Sequence, residues 1–280
     1  IVAGNLNDGM GFGFGAARNV VAGNYIGLDV NGDRLGNGLG IHIGNAHDNL
    51  IGSNADGVRD DVERNVISAN HSVGVWIRGA GSDVNTTGNV IAGNYIGVGL
   101  DGITDRGNAG HGIWASHGSR GAIIGGTNPS ARNVISGNDG NGVHIADSTN
   151  HRVLGNYIGV DRTGATALPN QQGGVQVYSY YYTGAAGQLT TGNRIGGTAP
   201  GEGNVISGNK EYGVAILGEF ATNNFIQGNY IGTNAAGTDY SVGRVGWWKG
   251  EGDYGDSANR NAGTPYGGVS FADGKVGQAL

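Results

Sequence analysis

The chain has 280 residues, 60 of them glycine and only four proline, with 14% charged residues, a formal net charge of -6 and no cysteine. Glycine at about three times its ordinary usage, without a G-X-Y period, excludes collagen, and regularly spaced Val, Ile and Leu exclude disorder. The acidic balance offers no footprint for nucleic acid, the lack of cysteine excludes disulfides and thiolate metal sites, and no apolar run approaches the roughly 18 residues of a membrane span.

In chain order, NVVAGN (19–24) runs into GNYIG (23–27), and GIHI follows at 40–43. NVISAN (65–70) and GVWI (74–77) come next, then NVIAGN (89–94), GNYIG (93–97) and GIWA (112–115). NVISGN (133–138), GVHI (142–145), GNYIG (155–159) and GVQV (174–177) continue the order, which closes on NVISGN (204–209), GVAI (213–216) and GNYIG (228–232). Self-similarity in a fixed order is the mark of a repeat fold, and the spacing of GNYIG gives a unit of roughly 60 to 75 residues.

Each apolar run is short and bounded by Gly, Asn or Asp, residues that accept turn conformations at little cost. Within a run the apolar residues alternate, as Val143 and Ile145 do around His144, so one set faces a core and the other faces out. Helical periodicity is absent. Short strands with sharp corners, stacked repeat upon repeat, predict an all-β right-handed parallel β-helix with coils about 4.8 Å apart. In GNYIG the Ile enters the interior, Gly and Asn form the corner, Tyr points out, and the asparagines of successive coils bond to one another. Asp29, Asp101 and Asp161, which follow GNYIG, read as turn formers.

Together NVISGN, GVxI, IGG and GNYIG resemble the right-handed parallel β-helix repeat proteins of bacteria over residues 1 to about 240. That resemblance implies the fold and leaves function open among polysaccharide lyases, glycosidases, epimerases, adhesins and carbohydrate-binding modules. From 241 to 280 the repeats stop. There, Trp247-Trp248, GEG, Asp256-Ser257 and GKVGQAL resemble the opening strands of a laminin-G-like, concanavalin-type jelly roll. A β-sandwich needs around 100 residues, so the domain reading is a β-helix over 1–240 and an incomplete sandwich, or a mobile tail, over 241–280. The chain opens at Ile1 inside a repeat and reads as a fragment.

The outward positions of the third phrase are His42, Trp76, Trp114, His144, Gln176 and Ala215, one exterior column if the strands stack. Exposed tryptophans in a row mark an interaction surface: ring faces at the coil spacing would take successive sugar rings, with His and Gln supplying hydrogen bonds. The competing reading is that loops such as residues 97–108 cover these rings as ordinary packing. A second cluster, VYSYYYTG (177–184), has no counterpart in other repeats and adds Tyr178, Tyr180, Tyr181 and Tyr182 as ligand-binding candidates.

Catalytic candidates are Asp60 and Asp61 in DGVRDDVER with His111 in GHG, which resemble parts of the polygalacturonase pattern. No R-x-K follows, and Gly112 already belongs to the scaffold phrase. A glycosidase needs two carboxylates about 5 to 9.5 Å apart. A lyase needs a basic residue, usually beside Ca²⁺, for which Asp56, Asp60, Asp61 and Glu63 are dense enough; a solvated acidic turn is the alternative. The sequence therefore reads as an extracellular or cell-surface bacterial module, monomeric, with no cofactor unless Ca²⁺. It binds a polysaccharide or cell-surface glycan, or serves adhesion, with no nucleic acid and no membrane span. The alternatives are a lyase or hydrolase of acidic, plant or algal polysaccharide, and a structural spacer.

Overall fold

The computed structural model describes residues 1–80, 86–180 and 189–238, and the backbone of two short strands, Ala272–Gly274 and Gly277–Ala279. The chain divides into two compact units, Ile1–Thr238 and Asp239–Leu280. In the second unit the two strands pair antiparallel. The segment read as laminin-G-like, with Trp247 and Trp248, otherwise lies outside the described residues.

In the first unit the chain winds through three parallel sheets of seven strands each, visiting them in the same order on every coil. The first sheet holds Asp8–Phe12, Leu39–Gly44, Val75–Arg78, Ile113–Ser116, Val143–Ala146, Val175–Tyr178 and Val214–Leu217. The second runs from Val20–Val21 to Phe225–Gln227 and the third from Tyr25–Ile26 to Tyr230–Ile231. Apart from the four-residue helix Asp60–Glu63 and the 3-10 turn Pro129–Ala131, the rest of that unit's described chain is corners and loops. This is the parallel β-helix that the phrases predict.

The repeat unit differs from the expected one. Along the third sheet the register reads Tyr25, Val66, Tyr95, Val134, Tyr157, Val205, Tyr230, so GNYIG marks only every second coil and the 60-to-75-residue unit is two turns. The second phrase also divides in two. NVVAGN and NVIAGN place their valines in the second sheet, whereas NVISAN and NVISGN place theirs in the third.

Inside, Ile26, Ile67, Ile96, Ile135, Ile158 and Ile206 stack fully buried along the third sheet, and Ile43, Ile77, Ala115, Ile145 and Val177 do so along the first. Two asparagine columns, each seven long, close the corners on either side of the third sheet. In one, Asn65 Nδ2 donates to Asn94 Oδ1 (2.9 Å), and Asn94 Nδ2 to Asn133 Oδ1 (3.1 Å). In the other, Asn70, Asn108 and Asn138 repeat the pattern at 2.9 Å. Apart from the exposed Asn5, each amide also donates to a backbone carbonyl, as Asn133 Nδ2 does to Ile91 O (2.8 Å), so buried polar groups are satisfied coil by coil. A third column before the second sheet, Asn19–Asn49–Asn89, gives way to His151, whose Nδ1 accepts from Ala122 N (3.1 Å) where an asparagine oxygen would.

The second glycine of GNYIG is required by space and conformation. At Gly97 φ is +86°, and a Cβ there would run into the Ser136 carbonyl of the next coil. Asp29, Asp101 and Asp161 are turn formers: Asp101 Oδ1 accepts from the backbone of Ile103 and Thr104, both at 2.9 Å. On the fourth cycle Asn234 takes the same role, accepting from Ala236 N and Thr238 N.

Candidate functional site

The first sheet carries its unrepeated side chains on the outside. Pairing places Gly11, His42, Trp76, Trp114, His144, Gln176 and Ala215 opposite one another in that order, the column expected from the third phrase. The rings touch face to face. His42 and Trp76 stack at 5.0 Å between centroids, and Trp76 and Trp114 at 4.9 Å with only 5° between planes. His144 tilts against Trp114 at 6.1 Å.

This geometry corrects the expected mode of recognition. Rings spaced by the coil rise lie flat on one another, so their faces are already used and only their edges look outward. Trp76 and Trp114 are half-buried, and His144 is buried at 3% exposure. Packing and a possible binding role therefore fall on the same residues, and a sugar stacked on each indole face is not what the column permits.

A second outward column lies two residues further along each strand, where Arg78, Ser116, Ala146 and Tyr178 are in register. Trp76 Nε1 donates to Ser116 Oγ (2.8 Å), which lies 2.8 Å from His117 Nδ1. The hydroxyl accepts from the indole and keeps a second lone pair and its proton for His117, whose Nδ1 accepts or donates according to its tautomer. Burial, and then the nearby Arg78 charge, push the His117 pKa down, opposed by Asp147. Burial raises the Asp147 carboxyl although Tyr180 N donates to its Oδ1 (3.0 Å). Tyr180 sits edge-on to Tyr178 at 4.5 Å, and its hydroxyl is raised by burial and by its Tyr178 and Asp147 neighbours. Arg78, His117, Asp147 and Tyr180 thus form one group of polar, titratable side chains beside the rings.

His111 belongs to this face as well. It stacks on His144 at 4.6 Å, meets Trp114 edge-on at 6.0 Å, and accepts from Asn141 N through Nδ1 (3.0 Å). Burial lowers it to about 4; burial, followed by His111 itself, lowers His144 to about 3. Neither His144 nitrogen nor Trp114 Nε1 makes a hydrogen bond in the structure. Gln176 comes close enough to favour the charged His144 slightly without bonding geometry. Its amide nitrogen is committed to the Tyr212 hydroxyl (2.7 Å), which in turn donates to Asn141 Oδ1 (2.8 Å).

The acidic candidates do not assemble. Asp60 and Asp61 lie in the connection from the second sheet to the third, His111 in the connection from the third to the first, so the polygalacturonase-like grouping is split between corners. Asp60 Oδ1 accepts from Ser53 Oγ (2.6 Å), the main cause of its lowered pKa, and Oδ2 from Gly57 N (3.0 Å). Asp56 accepts from Val58 N (2.7 Å) and Glu63 from Asn54 N (3.1 Å). These carboxylates are spent on their own loop, and among the described residues no three His, Asp or Glu side chains converge as a metal site, so the Ca²⁺ candidates Asp56, Asp60, Asp61 and Glu63 have no shared centre. No helix of the described residues is long and apolar enough to cross a membrane.

The structure thus brings together His42, Trp76, Trp114, His144, Gln176, Tyr178 and Tyr180. Tyr181 and Tyr182 lie outside the described residues. Sequence reasoning missed Arg78, His117 and Asp147. Strand alternation could have found Arg78, two residues after Trp76, but the other two sit in corners at φ of 55° and 47°, beyond the reach of a period-two argument.

The chain is a right-handed parallel β-helix, and comparison with solved structures agrees. The A-module of mannuronan C-5 epimerase AlgE4 from Azotobacter vinelandii is 18% identical with a TM-score of 0.50, over 79% of this chain and 49% of that one. The A-module of mannuronan C-5 epimerase AlgE6 from the same organism is 18% identical with a TM-score of 0.40, over 79% of this chain and 54% of that one. The chain spans about half the length of these structures. No family model and no curated protein matches it.

Proposed function

We propose that this β-helix binds a polysaccharide or cell-surface glycan along the outside of its first sheet, as an extracellular module. The observation that carries the reading is the concentration of unrepeated aromatic and polar side chains in register on one face of an otherwise repetitive scaffold. A glycan lying along the axis would meet ring edges and the polar row of Arg78, His117 and Asp147. Similarity to modules of enzymes named for mannuronan supports a carbohydrate partner. In affinity gels against acidic and neutral polysaccharides, the wild-type protein should be retarded by at least one, and Trp114→Ala should lose most of that retardation. A protein that migrates freely through every gel overturns the proposal.

A second reading, cleavage of the bound polysaccharide, draws on one observation: a neutral imidazole, a carboxyl with raised pKa, an arginine and a tyrosine share this face. Groups so tuned suit proton transfer at a sugar ring. New reducing ends, or absorbance from unsaturated products, would appear with the wild type and disappear in His117→Gln; their absence from every polysaccharide tested removes this reading.

A further inference from the structure

The outward column lacks a side chain at its first described position. Gly11 is paired opposite His42, in the place where the next ring would stand. The His42 face that Trp76 does not cover therefore opens on a cleft of about 420 Å³, bordered by Phe12, Phe14, Asn45 and Arg78 along with glycines 11, 13, 44 and 79. That volume falls within the range of small-ligand clefts, roughly 300 to 1,000 Å³.

We infer that this cleft is a subsite of the glycan face and that it takes one acidic sugar residue, its C–H face on the His42 ring and its carboxylate on Arg78. The inference rests on the proposed glycan-binding role and names the sugar class. Three features carry it. His42 offers the one ring face in the His42–Trp76–Trp114 stack that no neighbouring ring covers, so here alone a sugar stacks as a ring would. Phe14 is fully exposed at the rim, an apolar ring open to a ligand in the cleft. The charge of the cleft is also one-signed: Arg78 is the only permanently charged residue among the described lining. The Arg78 guanidinium is held over the Trp76 ring at 5.5 Å and has no carboxylate partner among the described residues. A sugar acid fits that charge, its carboxylate accepting from Arg78.

Gly11 supplies the test. Its φ lies outside the left-handed region, and a Cβ built there meets nothing nearer than Asp8 Oδ2 at 3.8 Å. Gly11→Trp should therefore extend the ring column, fill the cleft and leave the fold standing. Calorimetric titrations would use a uronic-acid oligomer and a neutral glucan oligomer of equal length against wild type, Gly11→Trp and Arg78→Gln, with thermal melts of each. The expected result is a melting temperature for Gly11→Trp no lower than wild type, at least tenfold weaker binding of the uronic-acid oligomer, and loss of the preference for it over the glucan in Arg78→Gln. Unchanged binding by a folded Gly11→Trp overturns the subsite alone. Retained preference in Arg78→Gln overturns the acidic-sugar assignment, and a wild type that binds neither oligomer removes the subsite together with the glycan-binding role.

Discussion

The outsides of the first and third sheets are built on the same backbone and differ in what they repeat. On the third sheet tyrosine and valine alternate from coil to coil, and an arginine of the preceding coil lies over the tyrosine ring: Arg64 over Tyr95 at 4.4 Å, Arg132 over Tyr157 at 4.1 Å. These outward tyrosines are 7% and 8% exposed, as buried as core residues. Where Gly203 replaces the arginine in the last such pair, on the terminal coil, Tyr230 is 49% exposed. In the outward column of the first sheet no residue type recurs at a fixed period, and Trp76 and Trp114 are its one adjacent like pair. A period in the exterior column thus marks surface used for self-packing, and a broken period marks surface free to hold chemistry.

The largest effect that probes this contrast is acid sensitivity. His111 and His144 on the first-sheet face and His151 in an asparagine column are held neutral by burial, at about 4, 3 and 4 against an ordinary 6.5. Below pH 6.5 the unfolded chain binds protons that the folded chain refuses. Stability is therefore full above pH 6.5 and falls by about 1.4 kcal/mol per pH unit per imidazole until the folded values are reached, up to about 4 kcal/mol per unit for the three. Melts between pH 7.5 and 4.5 should show this fall. His151→Asn, which restores the column residue, should shed about a third of the slope without touching binding; an unchanged slope would mean that His151 is not held neutral.

Next in size is a charge in the interior. Ile135→Asp or Ile145→Asp puts an unpaired carboxylate into a fully buried ladder, at a cost of roughly 4 kcal/mol or more. A soluble variant unfolding cooperatively at wild-type denaturant concentrations would reverse the inward assignment. Asn133→Ala breaks a column in mid-run, leaves the buried Asn94 backbone N–H without its acceptor and takes a donor from the Ile91 carbonyl, costing about 3 kcal/mol in the same assay.

The two exterior faces part company in the smaller effects. Trp114→Ala removes a half-buried ring with neighbours on both faces and should cost about 2 kcal/mol as well as glycan binding. Arg132→Gln uncovers Tyr157 for about 1 kcal/mol and should leave affinity gels unaltered. Equal loss of binding in both variants would erase the distinction between the faces.

The fold was legible because glycine and asparagine mark corners by conformational necessity, and because alternation assigns Ile145 inward and His144 outward without knowledge of a partner strand. The register of the Trp76–Trp114 column was legible for the same reason. Whether those rings present faces or edges was not, since side-chain torsions follow from the neighbours above and below. Nor does local sequence say that His117 and Asp147 meet: they come from different coils, and their corners obey no alternation. The carboxylates Asp56, Asp60 and Glu63 misled by their density, which serves the hydrogen bonds of one loop.

The two-coil period along the third sheet has a consequence for how such a chain changes length. A cut from Tyr25 to Tyr95, joining Asn24 directly to Tyr95, would delete two turns, keep asparagine opposite asparagine in the two columns that flank the third sheet, and leave tyrosine opposite valine at the seam. A one-turn cut joining Asn65 directly to Tyr95 would instead set Tyr25 against Tyr95. Changes of length by pairs of coils therefore keep the exterior pattern of the third sheet, and each such change adds or removes two positions in the outward column of the first sheet.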